Sequence, residues 1–563
     1  MIKTISWVKR LQGEEYFSYF AGELKKERMK HYRLLLISCL LLLLASSCRE
    51  PHRHVKIVCT SDVHGNLFSY DYLSEDSVRG GLARVSAYLR EQRRQGNDIV
   101  YVDNGDMLQG TPATYCYNTH AVSYPHIAAE VLNYLQCDAV VLGDNDIGLG
   151  GPTYQRYRDD LSCEVLAGNI LFTGGQSPFS HPYTIIERGG LRIAVMGLTT
   201  SAIPHWTPRS QWSGLTFDDM EHAAQRWMHH LKANAAPDIV IGVFHAGYEG
   251  GVVTEEYVEN ATRRVAEQVP GFDAVFYGHD HQPRLTEVVN VEGDTVWLLN
   301  PGRDACQVAT LDVTLTPEGK IALVPSLVEM DDYARDPLFL AEFASHRERI
   351  DQYVDSTIVT STSEAPMSEC LYGPSAVMDL IHQIQLDVTG AQVSFAAPLA
   401  MDAGIPEGAV TVRDLYRLLP YENNLYVLWL TGSEIKDYLE MSYEKWITQL
   451  ETPDAYRNFD SAAGIVYEVN PMRERGERVY IKNMADGEPF NKDARYMVAV
   501  NSYRAHGGGG LMTEGARVAH EELQRRIIYN TTADIRFHVI SSLGMRKTIT
   551  PQPLGNWKFC PAL

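Results

Sequence analysis

The chain has no CxxC pair, no internal repeat and no low-complexity segment, and it is short of positive charge. Each shortage excludes something. Of nine cysteines in 563 residues, Cys39 and Cys48 stand in or beside an N-terminal apolar run. The other seven are scattered and odd in number, so neither a disulfide framework nor a zinc–thiolate site is expected, and buried free thiols are. With 50 Lys and Arg against 71 Asp and Glu, the formal net charge is −21; without residues 1–47 it is −25, from 42 basic and 67 acidic residues. Long nucleic acid is held mainly by phosphate neutralisation, and this balance excludes it as a partner. A small phosphorylated ligand is compatible if bound metal ions supply positive charge locally.

Long hydrophobic runs are also scarce. The run Leu34–Leu44, within "MKHYRLLLISCLLLLLASSC", has about eleven apolar residues, too few to cross a bilayer as a mature helix. With a basic stretch from Met29 before it and small residues after it, it reads as an export signal. Ala45-Ser46-Ser47-Cys48 resembles a bacterial lipobox. That implies an exported lipoprotein of the cell envelope, in the periplasm or at the outer membrane, held to a membrane by lipid on Cys48. A plain signal peptide cut nearby is the alternative. Met29 is the better start; residues 1–28 before it carry no fold information, and signal, lipobox and leader together span 1–53.

What is present is ordinary globular composition, 45% hydrophobic and 21% charged, at a length that suggests two or more domains. Residues 54–330 alternate short apolar runs, such as "VKIVCTSD", "DIVYVDNGD", "DAVVLGD" and "DIVIGVFH", with amphipathic stretches. Leu82, Val85 and Leu89 mark one such helix, closed by Gly96-Asn97. Continuous apolar runs mean strands covered on both faces, so a layered α/β domain is expected, a sheet flanked by helices. Residues 331–357 read as a polar linker helix. A second α/β domain spans 358–563, with a helix at Val377–Leu386 and strands in "AQVSFAAP", "NLYVLWLTG" and "RYMVAVNSY".

The chemistry lies where the first-domain strands end: on Asp62 and His64, on Asp106, on Asp144, on His245, and on His279 and His281. A single Asp after a strand is usually a cap or turn former, and a single His is usually structural. Five strands delivering Asp or His at one carboxyl edge point instead to a ligand site. Gathered carboxylates repel one another unless cations intervene, and mixed imidazole and carboxylate ligands suit zinc, manganese or iron. The inference is a site for two divalent metal ions.

The order DxH, GD, GDND, H and GHDH resembles the calcineurin-like metallophosphoesterases. "LPYENNLYVLWLTGSEIKDYLE" and "VNSYRAHGGGG" resemble the C-terminal domain of the 5'-nucleotidase family, which includes the secreted 2',3'-cyclic-nucleotide 2'-phosphodiesterase/3'-nucleotidases. The resemblance implies that Asp62, His64, Asp106 and His281 hold one metal ion. It gives the second to Asp106, Asp144, His245 and His279, with Asp106 bridging and zinc, manganese, cobalt or iron as candidates. Two such ions can activate water and clamp an in-line displacement at phosphorus. The second domain would then bind a nucleotide: Tyr421 and Tyr503 match positions where aromatic rings sandwich the base, Asn423 matches a base-contacting amide, and Gly507 and Gly508 begin a run that lets backbone approach a ligand. With 31 tyrosines in the chain, core packing is the competing reading for any one of them.

Three departures stand out. Where the family has Asn then His, this chain has Asp144 then Asn145. Asp144 still offers oxygen to a metal, but Asn145 can donate a hydrogen bond without carrying charge or moving a proton. Asn145 and Asp146 are the candidates for that catalytic position. Ser394–Met401, "SFAAPLAM", lacks the Arg that 5'-nucleotidases use for phosphate, and Gly509 stands where they have an acid for ribose. Both departures favour the cyclic phosphodiesterase/3'-nucleotidase branch over a 5'-nucleotidase. A nucleotide-binding lipoprotein with little turnover is the reading of another class.

Overall fold

The computed structural model describes residues 54–174, 178–254, 257–316, 320–448 and 455–560; the leader, with Cys48, lies outside the described residues. In the first domain twelve strands form two sheets. The first sheet contains β1 (His54–Thr60), β2 (Ile99–Asp103), β3 (Ala139–Val141) and β4 (Glu164–Leu166), all parallel. The second contains β5 (Tyr183–Arg188), β6 (Leu191–Thr199), β7 (Ile239–His245), β8 (Ala274–Tyr277), β9 (Arg284–Val289) and β10 (Thr295–Asn300), in the order β9-β10-β8-β7-β6-β5. Strands β11 (Gln307–Leu315) and β12 (Ile321–Glu329) return to the first sheet, giving β12-β11-β1-β2-β3-β4.

The apolar runs are continuous because both faces of each strand are covered, but not by helices alone. Ile57, Val100 and Val102 of the first sheet pack directly against Val195, Ile241 and Phe276 of the second. On the outside, Val58, Tyr101 and Val140 meet the helices Leu82–Arg94 and Ile127–Leu135. Met196, Val240 and Val275 meet Met220–Asn234 and Thr262–Gln268. The domain is therefore helix, sheet, sheet, helix, where one sheet between helices was the expectation. An apolar strand face carries the same pattern whichever element covers it. Leu82, Val85 and Leu89 are all fully buried, and each contributes about 1.5–3 kcal/mol. Gly96, at φ 89°, follows the end of their helix.

Residues 331–357 form two helices, Pro337–Glu342 and Ala344–Val354, not one. The Asp336 side chain accepts from the Leu338 N–H and caps the first. Phe339, Phe343, Ile350 and Tyr353 bury themselves in the first-domain core, joined there by Val412 and Tyr416 from the second domain. The connector is thus part of a wall shared by both domains.

In the second domain, β13 (Val393–Ala396), β14 (Asn424–Thr431), β15 (Ser461–Ala463), β16 (Arg495–Asn501) and β17 (Ile527–Asp534) form a mixed sheet in the order β15-β13-β16-β14-β17. Tyr426, Leu428 and Leu430 face the helix Gly432–Thr448, and Leu425 faces the side of Ala376–Thr389. All seven described cysteines are free, with Cys59, Cys116 and Cys370 buried. No described helix is long and apolar enough to cross a membrane.

Candidate metal centre and binding cavity

Parallel strands expose their carboxyl ends at one edge, and here two such edges meet. The first sheet supplies Asp62 and His64 after β1, Asp106 after β2 and Asp144 after β3, while the second supplies His245 at the end of β7 and His279 and His281 after β8. Ligand atoms of three sets gather within 4.8 Å of one another: Asp62, His64 and His281; Asp144, His245 and His279; and Asp62, Asp106 and His245. The structure thus brings all seven candidate ligands together, with Asp62 as well as Asp106 in the middle.

The backbone is bent to do it. Asp62, His64, Asp106, His279 and His281 have φ between 49° and 70°, a region that non-glycine residues enter at a cost and mostly at functional sites. The loops lace together: the Asp62 N–H donates to Gly105 O (3.0 Å), and the His64 N–H to Asp106 O (2.9 Å). At Gly278 any side chain would overlap Ser61 Oγ and the Asp62 carboxylate, so only glycine lets the "GHDH" loop approach β1.

The donors are oriented as a cation requires. Gln109 O lies 3.1 Å from His64 Nδ1, and Asn104 O lies 2.6 Å from His245 Nδ1; each fixes the ring so that Nε2 offers its lone pair inward. Glu259 Oε1 lies 3.1 Å from His279 Nε2, leaving Nδ1 directed at Asp144 Oδ1 (2.8 Å). His245 Nε2 is 3.1 Å from the same oxygen. The Nε2 atoms of His64 and His281 face each other at 3.0 Å, an approach that a shared cation would favour. Burial opposes charge on His245, yet Asp106, Asp144 and Asp62 raise its pKa well above the usual range. Burial also acts to raise the pKa of Asp144, and the charge of His279 and hydrogen bonds from His245 and His279 hold it well below the carboxylate range. The three buried carboxylates have no Lys or Arg among them and are balanced only by charge on neighbouring histidines, a role a divalent ion would take over, so the residues fit such ions.

Asp146 does not fill the catalytic position read from the sequence. Its fully buried carboxylate accepts four backbone N–H groups: from Asp106 and Gly143 (both 2.9 Å) on Oδ2, and from Met107 (3.0 Å) and Leu108 (2.9 Å) on Oδ1. Burial and the neighbouring Asp106 charge push its pKa up to about 6, against the pull of those N–H groups. It ties two ligand loops together. Asn145 lines the cavity; its Nδ2 donates one of its two hydrogens to Asp106 Oδ2 at 2.5 Å, and its backbone N–H donates to Oδ1 at 2.9 Å.

A cavity of about 590 Å³ opens from Asp144 and Asn145 to the second domain, where Asn423, Tyr503 and Gly508 line it. Asn423 Oδ1 accepts from Ser502 Oγ (3.0 Å), which leaves its amide N–H groups for a ligand. The Tyr503 ring lies on Gly508, where a Cβ would sit 2.5 Å from it. Gly507, at φ 89°, turns the chain just before. Tyr421 does not line the cavity and is 44% exposed; Phe537 does line it.

Residues 55–283 match the calcineurin-like phosphoesterase family, and residues 356–515 match the 5'-nucleotidase C-terminal domain. The chain carries a calcineurin-like phosphoesterase domain followed by a 5'-nucleotidase C-terminal domain. This phosphoesterase is 25% identical to a 2',3'-cyclic-nucleotide 2'-phosphodiesterase/3'-nucleotidase of Haemophilus influenzae, over 90% of the chain and 87% of that protein. It is 24% identical to the trifunctional nucleotide phosphoesterase protein YfkN of Bacillus subtilis over 92% of its own length, and spans 40% of that relative. A putative 5'-nucleotidase from Staphylococcus aureus has the same fold, with a TM-score of 0.68 at 22% identity, covering 90% of this chain and 99% of that one.

Sequence reasoning did not find Glu259, Trp206, Asn104 or Phe537. Asn104 and the neighbouring Asp106 share "DNGD", so it could have been found. Glu259 and Trp206 sit in segments with no motif, and only the fold carries them to the site.

Proposed function

We propose that this phosphoesterase hydrolyses nucleotide phosphoesters with two divalent metal ions, and that 2',3'-cyclic nucleotides and 3'-nucleotides are its preferred substrates. The observation that carries the reading is the cavity itself. It joins the metal-ligand cluster at Asp144 and Asn145 to Asn423 and Tyr503 of the second domain, and no Lys or Arg lines it. Asp144, Glu422 and Asp534 line it, although burial raises the Glu422 pKa to about 7 and Arg536 lies 3.6 Å behind that carboxyl. His506 is also there, but burial lowers its pKa to about 4, which keeps it neutral at pH 7. A phosphate monoester carries close to two negative charges at neutral pH, because its second pKa is about 6, whereas a cyclic diester carries one. A wall without cations favours the cyclic diester and treats 3'- and 5'-monoesters alike. The names of relatives from Haemophilus, Yersinia and Salmonella support the same branch.

Asp62, His64, Asp106, Asp144, His245, His279 and His281 would hold the ions, which when bound supply activated water and neutralise charge at phosphorus. The protein's own contribution is positioning. Asn145 fixes both oxygens of Asp106, Asn104 and Gln109 fix two imidazoles, and Glu259 fixes a third. In the second domain, Tyr503 offers a ring face to a base and Asn423 offers an amide, holding the substrate while the first domain acts on its phosphate.

Ring opening of 2',3'-cyclic AMP to the monoester, read by chromatography, and phosphate release from 3'-AMP and 5'-AMP, each with manganese, zinc or cobalt, test the reading. Preference for 5'-AMP would select a 5'-nucleotidase, the reading that the C-terminal family match supports. Nucleotide binding with neither ring opening nor phosphate release would select a binding protein, a reading that Asn145 in place of an imidazole favours. We further propose that the protein is exported to the cell envelope and anchored through Cys48, on the strength of the leader sequence. Cys48→Ala would then release it from membranes, and continued membrane partitioning would refute the anchor.

A further inference from the structure

Trp206 comes from the short helix Ile203–Trp206 that follows β6. Its indole stacks on His279, with ring centroids 5.9 Å apart and an interplanar angle of 15°. The indole Nε1–H donates to Asp144 Oδ2 at 3.2 Å. Its backbone oxygen accepts from Tyr426 Oη of the second domain at 2.8 Å. The two oxygens of Asp144 are therefore divided. Oδ1 faces His245 Nε2 and His279 Nδ1, and Oδ2 faces the indole.

Asparagine could not make this arrangement. It has one oxygen and one NH2 group, and the indole N–H can only donate. With the Asn oxygen turned toward the histidines, NH2 would face N–H, donor against donor. With the oxygen turned toward Trp206, the NH2 would point at the metal position, where an amide nitrogen bearing two hydrogens is no ligand. An acid at 144 satisfies both sides at once.

We propose that Trp206 is a positioning residue matched to Asp144: its indole N–H holds one carboxylate oxygen so that the other is presented to the metal, and this is why position 144 is Asp. The inference rests on the metal-ion reading. Because Trp206 is also gripped by Tyr426, the second domain helps to set a metal ligand of the first. The residue touches a ligand's carboxylate and not the reacting atoms, so its effect should appear in metal affinity even when no substrate is present.

The test is manganese binding to the full-length protein, with free Mn2+ read by electron paramagnetic resonance and folding checked by thermal melting. Trp206→Phe keeps the ring on His279 and removes only the N–H. Loss of a group that orients a metal ligand typically weakens affinity about 10–100-fold, and that is the expected effect for Trp206→Phe. Asp144→Asn should weaken binding at least as much. The double variant decides the matter: with the opposing indole gone, the amide can turn its oxygen to the metal, so the double variant should bind Mn2+ no more weakly than Asp144→Asn alone. Multiplied losses in the double variant, or unchanged affinity in Trp206→Phe, would overturn the proposal while leaving the metal-ion reading intact. Failure of the wild-type protein to bind Mn2+, zinc or cobalt would overturn both.

Discussion

Replacing Asp146 by Asn separates a structural carboxylate from a catalytic one. The Asp146 side chain is fully buried and takes two N–H groups on each oxygen, at 2.9–3.0 Å. Asn keeps one acceptor oxygen and puts an NH2 group where the other was. Either orientation strands two backbone N–H groups, Asp106 and Gly143 in one case, Met107 and Leu108 in the other. A buried donor left without an acceptor costs about 1–3 kcal/mol, so the substitution should destabilise the protein by roughly 4 kcal/mol. Urea unfolding with chelator present, so that bound ions do not mask the loss, measures this directly. Metal affinity should fall in parallel, because the strand-end loop that carries Asp106 hangs from the same carboxylate. A variant with near-normal stability and abolished turnover would refute the reasoning, since that pattern belongs to a group acting on substrate.

Other expectations follow from the same geometry. Asp106→Asn should abolish turnover and lower bound metal measured by elemental analysis, because Asp106 sits between Asp62 and His245; two retained ions with normal activity would refute the shared centre. Tyr503→Ala should raise the KM for a nucleotide about 10-fold, from the loss of about 1–3 kcal/mol of stacking, and leave a base-free chromogenic phosphodiester unaffected. Equal losses on both substrates would make Tyr503 a fold residue. Burial holds His126 at a pKa of about 3 and His382 at about 4, below the unfolded value of 6.5. The unfolded chain therefore binds protons that the folded one refuses, so stability is full above pH 6.5 and is lost as pH falls toward 4. By pH 5 each histidine should cost about 2 kcal/mol. His382→Gln, which can still bond Ser394 and Ser461, should flatten the decline of the urea midpoint between pH 7 and pH 5; an unchanged slope would count against the assignment.

The sequence by itself determined which Asp and His residues gather at the candidate metal centre. Apolar runs that end on Asp or His need no tertiary information to be read, because burial fixes the strand and the strand's end fixes where the ligands emerge. It also determined the two-domain order and the free cysteines. It could not distinguish a sheet covered by helices from two sheets packed on each other, since both leave the same apolar pattern in the strands. Nor could it tell that "GDND" holds one acid turned to the metal site, an amide bonded to Asp106 and a second acid turned inward to four backbone N–H groups. Adjacent residues at the start of a short helix point in different directions, and only the surrounding loops decide what each one meets. Trp206 and Glu259 reach the site from 62 and 20 residues away from the ligands they touch, Asp144 and His279. Such contacts have no local signature. They exist because the tertiary structure brings the loops of both sheets to one edge, where each orphaned donor or acceptor has to find a partner.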